Sequence, residues 1–413
     1  MNLILFDDDH RDRFLPLSFT RPLSLFRLGI LTLAEKWELI SGLNPSFQVP
    51  DYLSKVYCKI KTNDNLFLNS RLIPNKSIWK KISLLAIGDS IFINNILIAS
   101  RLLVWDYKLN PGGKKSKEIV VKSAQNEIVD SDSTDGQKMI LDETEFRLLN
   151  YLEDFVRLND EEIKKDLEIL RENKTNGAIS STNRILGNDL WVNGKIKAEY
   201  VTLNSLAGPI FIDEGVEIME GALIRGPVAL LKGSTVKMGA KIYGGTTIGP
   251  NCTVGGEIKN SILFAFSNKA HEGYLGDSII GEWCNLGADT NNSNMKNNYK
   301  NVRLYDYTQH NFRETEMHFL GVIMGDHVKC GINSTLNTGT IMGVGVNWFG
   351  SALSPTFVPD FSWAESGKIQ EYRLDKMMDT AEKAMARRNV NLTENQKSLL
   401  KSIFELTQKS RNF

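Results

Sequence analysis

The 413-residue chain has no excess charge of either sign, because its 49 Lys and Arg residues balance its 49 Asp and Glu residues. A balanced charge argues against bulk binding to nucleic acid or to an anionic membrane, so any anionic ligand has to be held by local charges. The sequence also lacks the run of roughly 20 apolar residues that a membrane-spanning helix needs. We therefore expect no nucleic-acid partner and no membrane span.

Cysteine is scarce as well. The four cysteines are Cys58, Cys252, Cys284 and Cys330. They lie far apart and form no CxxC pair, which favours a reduced, cytoplasmic setting. The apolar run at residues 3–6 is too short for a signal peptide and has no basic residue before it, so we expect no such leader.

A six-residue repeat dominates the second half of the chain. Aliphatic residues recur without a slip at Ile212, Ile218, Ile224, Leu230, Val236, Ile242, Ile248 and Val254. The repeat resumes in a new phase at Tyr274, Ile280 and Leu286, and again at Met324, Cys330, Leu336 and Met342. Most residues two positions earlier are small: Ala222, Val228, Ser234, Ala240, Thr246 and Cys252.

Residues two apart on a strand face the same way, so large and small side chains alternate on one inward face. A helix with 3.6 residues per turn cannot keep a six-residue phase, whereas stacked short strands can. The repeat therefore predicts a parallel β-solenoid, with a meander of antiparallel strands as the alternative. Cys252, Cys284 and Cys330 fall on inward phases and are interpreted as core residues.

This pattern resembles the left-handed parallel β-helix of hexapeptide acyltransferases. The handedness is implied by the resemblance, as is a homotrimer with active sites between neighbouring helices. We predict three domains: an α/β nucleotidyltransferase-like domain with a helical linker at 1–183, the β-helix at 184–350, and a helical tail at 351–413. Helices are expected at 25–39, 143–172, 371–388 and 393–408, the last with Thr393 as N-cap.

Two interruptions of the repeat are expected to be loops that carry function, one at 256–271 and one at 289–320. The first contains His271, a neutral imidazole that can take a proton from an attacking amine near pH 7. Lys259, Lys269 and Tyr274 could hold a phosphate. A lone histidine is more often structural, so composition alone leaves its role open.

The stretch from Glu257-Ile258-Lys259 through Lys269-Ala270-His271-x-x-Tyr274-Leu275-Gly276-Asp277 to Asn285-Leu286-Gly287-Ala288 closely resembles the acetyltransferase domain of the GlmU family. The resemblance implies that His271 is the general base and that Lys259 and Tyr274 bind the sugar phosphate. It further implies sugar-binding or positioning roles for Asn285 and Asn294, and acetyl-CoA contacts at Ala288. Lys241 stands where the family has an arginine, which keeps the charge but loses the bidentate fork.

The second interruption is longer than in that family. It resembles archaeal enzymes with both activities and a variant group of GlmU-like proteins common in Bacteroidetes. Lys296, Lys300 and Arg303 are the candidates for a phosphate-binding cation on this loop. Of these, Lys296 is assigned to substrate binding.

The N-terminal segment Arg13-x-x-Pro16-Leu17-Ser18-x-x-x-Pro22 resembles the signature of sugar-nucleotide pyrophosphorylases, without its glycine-rich loop and with Leu23 in place of its lysine. Nucleotidyl transfer needs carboxylates for Mg²⁺ and cations for the triphosphate. The candidates for the metal are Asp7 and Asp8, with Asp9 beside them. The candidates for UTP are Arg11, Arg13 and Arg21.

The leading hypothesis is acetylation of an amino-sugar 1-phosphate, glucosamine-1-phosphate above all, coupled to transfer from UTP to give UDP-N-acetylglucosamine for the cell envelope. The alternative is an acetyltransferase with an inactive N-terminal domain. A γ-carbonic-anhydrase-type zinc lyase would need His310, His318 and His327 as ligands. A purely structural solenoid would have no use for the His-x-x-Tyr segment.

Overall fold

The computed structural model describes residues 1–93, 96–103, 118–122, 127–130, 139–140, 146–172, 176–350, 352–365 and 368–411. The chain divides into two compact units. Unit 1 contains Met1–Arg11, Arg21–Phe26 and Leu31–Asn150, and unit 2 contains Asp12–Thr20, Arg27–Ile30 and Tyr151–Phe413. Among the described residues, none of the helices combines the length and apolar character that a membrane crossing requires.

Unit 1 is built on one mixed β-sheet. Its strands, in spatial order, are Met139–Ile140, Glu127–Asp130, Glu118–Lys122, Ser90–Ile93, Ile96–Leu102, Asn65–Asn69, Asn2–Phe6 and Pro45–Gln48. Its α-helices are Leu33–Ser41 and Lys76–Ile82, with short 3-10 helices at Leu23–Leu25 and Asp51–Leu53. The alternating apolar residues of the central strands pack with Trp37 and Ile78 from the two helices to form its core.

The first helix of unit 1 begins later than the sequence predicts, at Leu33 instead of Leu25. Thr32 caps it: the Thr32 hydroxyl accepts from the Glu35 backbone N–H at 3.1 Å, and the Glu35 carboxylate accepts from the Thr32 N–H at 2.6 Å. This reciprocal capping box fixes the start of a helix more strongly than the apolar spacing upstream. Gly42 ends the helix in the left-handed conformation.

Unit 2 is a parallel solenoid with three faces, as the repeat predicts. The first face contains Arg184–Leu186, Thr202–Asn204, Leu223–Arg225, Lys241–Ile242, Glu257–Lys259 and Tyr274–Gly276. The second contains Leu190–Val192, Ile210–Ile212, Val228–Leu230, Thr246–Ile248, Ile262–Leu263, Ile279–Ile280, Ile323–Met324, Ile341–Met342 and Phe357–Val358. The third contains Lys197–Ala198, Glu217–Ile218, Thr235–Val236, Thr253–Val254, Asn268–Lys269, Asn285–Leu286, Lys329–Cys330, Asn347–Phe349, Ser362–Glu365 and Lys368–Glu371.

The inward positions of the solenoid are those that the repeat predicts. All eight aliphatic residues from Ile212 to Val254 are at most 2% exposed, and the small residues that precede them are also buried. Each buried aliphatic side chain stabilises the fold by about 1.5–3 kcal/mol. The prediction of an α/β domain joined to a parallel β-helix with a short helical tail is confirmed.

Two predictions inside the solenoid are wrong. Leu275, not Tyr274, faces the core of its rung. The first interruption is also not one long loop, because it contains the strands Glu257–Lys259, Ile262–Leu263 and Asn268–Lys269. The turns between these strands vary in length, so the inward residues no longer recur every six positions. The rungs of the solenoid nevertheless continue through this stretch.

The second interruption does leave the solenoid. After Asn291–Asn292, which pairs with Thr335–Leu336, the chain makes an excursion that contains the antiparallel hairpin Arg303–Asp306 and Asn311–Glu314. The chain returns to the second face at Ile323. This part of the prediction is therefore confirmed.

The remaining helices of unit 2 are shorter than predicted. The linker helix spans Glu153–Arg171; residues 146–152 are not α-helical, and residues 143–145 lie outside the described residues. The tail helices are Leu374–Ala386 and Glu394–Leu406, followed by the 3-10 turn Gln408–Ser410. Thr393 caps the second of them, as predicted, because its hydroxyl accepts from the Gln396 N–H at 3.3 Å.

We expect a thiol reagent such as Ellman's reagent to label one cysteine in the native protein at pH 8 and four after unfolding. Cys58 is exposed, whereas burial raises the pKa of Cys252 and Cys284 to about 12 and also raises the pKa of Cys330. Cys58→Ser should lower the native count to zero. Rapid native labelling of two or more thiols would contradict the inward placement of the other three.

Candidate functional site

His271 lies on the short turn between Asn268–Lys269 on the third face and Tyr274–Gly276 on the first, with its side chain exposed. Gly273 follows it with a φ of +114°, and a Cβ there would lie 2.2 Å from the Thr290 carbonyl oxygen. Only glycine fits this close approach to the next rung. The turn is thus held against the solenoid while the imidazole stays accessible to a substrate.

A hydrogen-bond network surrounds the phenol of Tyr274. Its hydroxyl accepts from Asn294 Nδ2 at 3.0 Å, and the same nitrogen donates to Asp277 Oδ2 at 2.6 Å. Asp277 Oδ1 in turn accepts from Asn260 Nδ2 at 2.7 Å. With both its amide hydrogens engaged, Asn294 presents its carbonyl oxygen as the group that a ligand could approach.

The phenol of Tyr274 stays protonated at neutral pH. Burial, together with the negative charges of Asp277 and Glu257, raises its pKa to about 12. A protonated phenol that accepts from Asn294 still has its own hydrogen to donate, and a phosphate oxygen is a suitable acceptor for it.

The cations predicted beside Tyr274 share its face of the solenoid. Lys241 pairs with Glu257, and Glu257 pairs with Tyr274 on the next rung. Lys259, two positions from Glu257 and therefore on the same outer side, pairs with Gly276. Both lysines are exposed. The structure thus brings Lys241, Lys259 and Tyr274 together on consecutive rungs.

Two predicted residues lie elsewhere on the solenoid. Asn285 is exposed on the third face, where it pairs with Asn268 and Lys329. Ala288 is half-buried on the turn after that strand, and its carbonyl oxygen accepts from the Asn333 N–H at 2.8 Å. The strand that contains Asn285 thus belongs to a different face of the solenoid from the strand that contains Tyr274.

The cations of the second interruption have local roles. Lys296 donates from Nζ to the Asn301 carbonyl oxygen at 2.8 Å, and Arg303 lies over the Phe312 ring at 5.6 Å from its centroid. Lys300 is exposed. Of this loop, Asn294 contacts the Tyr274 hydroxyl, and Asn291 Oδ1 accepts from the Tyr274 backbone N–H at 2.8 Å.

In unit 1, the carboxylate predicted to bind a metal at Asp7 already has partners. Its Oδ2 accepts from Arg11 Nε at 3.0 Å, and its Oδ1 accepts from the Leu23 backbone N–H at 3.2 Å. Arg11 also donates to the Tyr52 hydroxyl at 3.0 Å. Burial raises the pKa of Asp7 although Arg11 opposes the shift. The predicted nucleotide cation and the predicted metal ligand therefore bind each other.

Asp8 is paired in the same way. It accepts from Arg71 Nε at 3.0 Å and Nη2 at 2.6 Å, and from Asn69 Nδ2 at 2.9 Å. Burial alone would raise the pKa of Asp8, but the hydrogen bonds and the positive charge of Arg71 outweigh that effect. The pKa of Asp8 is therefore lowered. As arranged, neither Asp7 nor Asp8 presents an open carboxylate to Mg²⁺, so they do not fit a metal site in this conformation.

The other two predicted nucleotide-binding arginines have different surroundings. Arg13, in unit 2, lies over the Tyr151 ring at 5.3 Å from its centroid. Arg21, in unit 1, is 5% exposed.

In the part of the chain that the structure describes, no group of three or more His, Cys, Asp and Glu side chains is placed to hold a metal ion. Within one chain, His310, His318 and His327 therefore do not form the ligand set that a zinc lyase would require.

Several residues that contact the candidate side chains were not predicted, among them Asp277, Asn260 and Arg71. Asp277 lies inside the recognised motif, but no role is predicted for it. Its backbone is left-handed, with a φ of 50°, a conformation that Asp adopts more readily than most residues. Asn260 and Arg71 carried no sequence signal, because their partners are brought to them only by the fold.

Comparison with known proteins finds matches whose names refer to nucleotidyl transfer and to acetyl transfer. Residues 3–175 match the family model described as sugar nucleotidyl transferase. The Bifunctional protein GlmU of Methanocaldococcus jannaschii is 34% identical over 127 residues, which are 31% of this chain and 28% of that protein. The protein of the same name from Methanococcus aeolicus is 34% identical over 165 residues, 39% of this chain and 38% of its own.

A third relative is named Bifunctional sugar-1-phosphate nucleotidylyltransferase/acetyltransferase, from Sulfurisphaera tokodaii. It is 31% identical over 149 residues, 33% of this chain and 34% of its own. The chain thus spans roughly a third of the length of the curated relatives that it matches. These matches confirm the resemblance to GlmU-like proteins recognised in the sequence.

We expect Asp277→Asn to lower the free energy of unfolding by about 1–3 kcal/mol, because one amide of Asn260 or Asn294 would lose its buried acceptor. Urea denaturation measures the change. Asp213→Asn is a matched control, since half-buried Asp213 accepts from Asn193 Nδ2 at 2.6 Å away from this network. Equal losses for the two variants would argue against a special role for Asp277.

Proposed function

We propose that the solenoid transfers the acetyl group of acetyl-CoA to the amine of an amino-sugar 1-phosphate, with glucosamine-1-phosphate as the leading substrate, in line with the similarity to proteins named GlmU. The observation that supports this most directly is the exposed imidazole of His271 beside the Tyr274 network and two outward lysines. This combination offers a proton acceptor, hydrogen-bond donors and positive charge within a few rungs.

In the proposed reaction the sugar amine attacks the thioester carbonyl carbon while His271 removes a proton from the nitrogen. A carbon–nitrogen bond forms, the carbon–sulfur bond breaks, and coenzyme A leaves as the thiol after receiving the proton. Lys241, Lys259 and Tyr274 hold the phosphate, and the Asn294 carbonyl oxygen orients the amine. Backbone N–H groups stabilise the oxyanion that develops.

We propose that the working form is a homotrimer in which two chains complete each acetyl-transfer site. This is supported by the distribution of the candidates, because Asn285 and Tyr274 belong to strands of different faces of one solenoid. A neighbouring copy could present its Asn285 and its Ala288 turn to the Tyr274 face. The expected acetyl-CoA position is then at the boundary between copies.

A second activity is proposed for the N-terminal region: transfer of the uridylyl group from UTP to the acetylated sugar phosphate, with release of pyrophosphate. The family match over residues 3–175 supports it. The pairing of Asp7 with Arg11 and of Asp8 with Arg71 favours the alternative of an acetyltransferase with an inactive N-terminal domain. Any Mg²⁺ bound there needs other carboxylates unless these ion pairs open.

Mass spectrometry of the products formed from glucosamine-1-phosphate, acetyl-CoA, UTP and Mg²⁺ tests both proposals. UDP-N-acetylglucosamine would support both activities. If the products stop at N-acetylglucosamine-1-phosphate, only the acetyl transfer is supported and the uridylyl transfer is contradicted. If neither product forms while related amino-sugar phosphates also stay unmodified, acetyl transfer is contradicted.

We expect His271→Asn to lower kcat for acetyl transfer by about 10²- to 10⁴-fold, because asparagine cannot accept the proton of the attacking amine. His310→Asn is the control, since His310 is exposed at the tip of the hairpin in the second interruption. Steady-state release of free thiol measures the rate. Unchanged kcat in His271→Asn would rule out the assigned base.

A further inference from the structure

A lysine occupies one place in the inward column of the third face. Lys269 pairs with inward Val254, and Asn268 pairs with Asn285, so Lys269 aligns with inward Leu286. The Lys269 side chain is 1% exposed. Lysine is almost never buried to this extent unless its ammonium is satisfied, because transfer of the charge from water is costly. The other inward positions beside it are aliphatic.

The ammonium of Lys269 is satisfied by three backbone carbonyl oxygens. Nζ donates to the carbonyl oxygens of His271 at 2.5 Å, Glu272 at 3.0 Å and Gly255 at 3.3 Å. Two of these acceptors belong to the turn that carries His271, and the third belongs to the preceding rung. The lysine therefore ties the turn to the body of the solenoid from inside.

Gly256 leaves the room that this arrangement needs. Its φ is +70°, and a Cβ there would lie 3.0 Å from Lys269 Nζ and 2.9 Å from the His271 carbonyl oxygen. A side chain at this position would compete with the ammonium for the same space. The glycine, the buried lysine and the His271 turn thus form one local unit.

We propose that Lys269 is a positioning residue, which holds the turn so that the His271 imidazole stays in place to accept a proton. This inference rests on the proposed role of His271 as base. Lys269 itself lies beneath the backbone and touches no substrate. It acts through charge-assisted hydrogen bonds, which are stronger than those between neutral groups.

The tether should weaken at alkaline pH. Burial lowers the pKa of Lys269 to about 8, although the carboxylates of Glu272 on the same turn and Asp289 on the adjacent rung oppose the shift. Below that pH the ammonium has one N–H for each carbonyl. Above it the neutral amine has only two N–H groups and no charge, so we expect kcat for acetyl transfer to fall as pH rises through about 8.

Lys269→Met and Lys269→Arg test the proposal. Methionine keeps the length without a donor, and we expect kcat to fall by about 10- to 100-fold with a much smaller change in KM for acetyl-CoA, as for a displaced catalytic group. Its remaining activity should lack the alkaline decline near pH 8. Arginine keeps its charge, so the decline should move to higher pH. The control is Lys36→Met, which removes a lysine of unit 1 that is also 1% exposed.

Hydrogen–deuterium exchange of peptides that cover residues 268–276 gives a readout that does not depend on activity. After correction for intrinsic rates, exchange in the wild-type protein should rise between pH 7 and 9 at this turn and not in the next rungs. Lys269→Met should show the faster exchange already at pH 7, and Lys36→Met should not.

Several outcomes would overturn the proposal. Wild-type kcat and an unchanged pH profile in Lys269→Met would do so, as would an alkaline decline that stays near pH 8 in Lys269→Arg. If both variants fail to fold, equal wild-type exchange at pH 7 and 9 decides against the tether. If the wild-type protein transfers no acetyl group, the proposed function fails, while the exchange measurement still decides whether Lys269 holds the turn.

Discussion

In-register stacking of parallel rungs is the constraint on which the rest of unit 2 depends. Along each face consecutive parallel strands pair in register, so residues with the same phase lie about 4.8 Å apart. Stacking alone brings Lys241, Glu257 and Tyr274 onto adjacent positions although 33 residues separate the first from the last. The apolar inward column fixes this register, because a slip of one residue would turn every aliphatic side chain outward.

Two charged groups enter this scaffold beside the His271 turn, and the hydrogen bonds of both are satisfied. The carboxylate of Asp277 is 5% exposed and is matched by two asparagine amides, and the ammonium of Lys269 is matched by three carbonyl oxygens. Buried polar groups without partners would cost about 1–3 kcal/mol each. Both groups lie next to the turn of His271, so the polar interior and the candidate acetyl-transfer site occupy the same rungs.

Sequence reasoning succeeded where one residue pattern maps onto one physical constraint. Six-residue spacing predicts the rungs because the inward column must be apolar. The motif around His271 can be recognised without the fold because the residues from His271 to Asp277 are contiguous in the chain. It failed at Tyr274, where a turn of different length moves Leu275 into the core, and at Thr32, where a local cap overrides apolar spacing. It also assigned Asp7 and Arg11 to separate ligands, because only the fold shows that they pair with each other.

The His271 turn lies far from both ends of the solenoid, and this position protects the site during partial unfolding. In a stacked array each rung is stabilised by its two neighbours, so fraying begins at the ends and moves inward. The strand Asn268–Lys269 is the fifth of the ten described strands on its face. Fluctuations that open the terminal rungs therefore leave the central rungs closed, and the geometry around the imidazole outlasts the loss of either end.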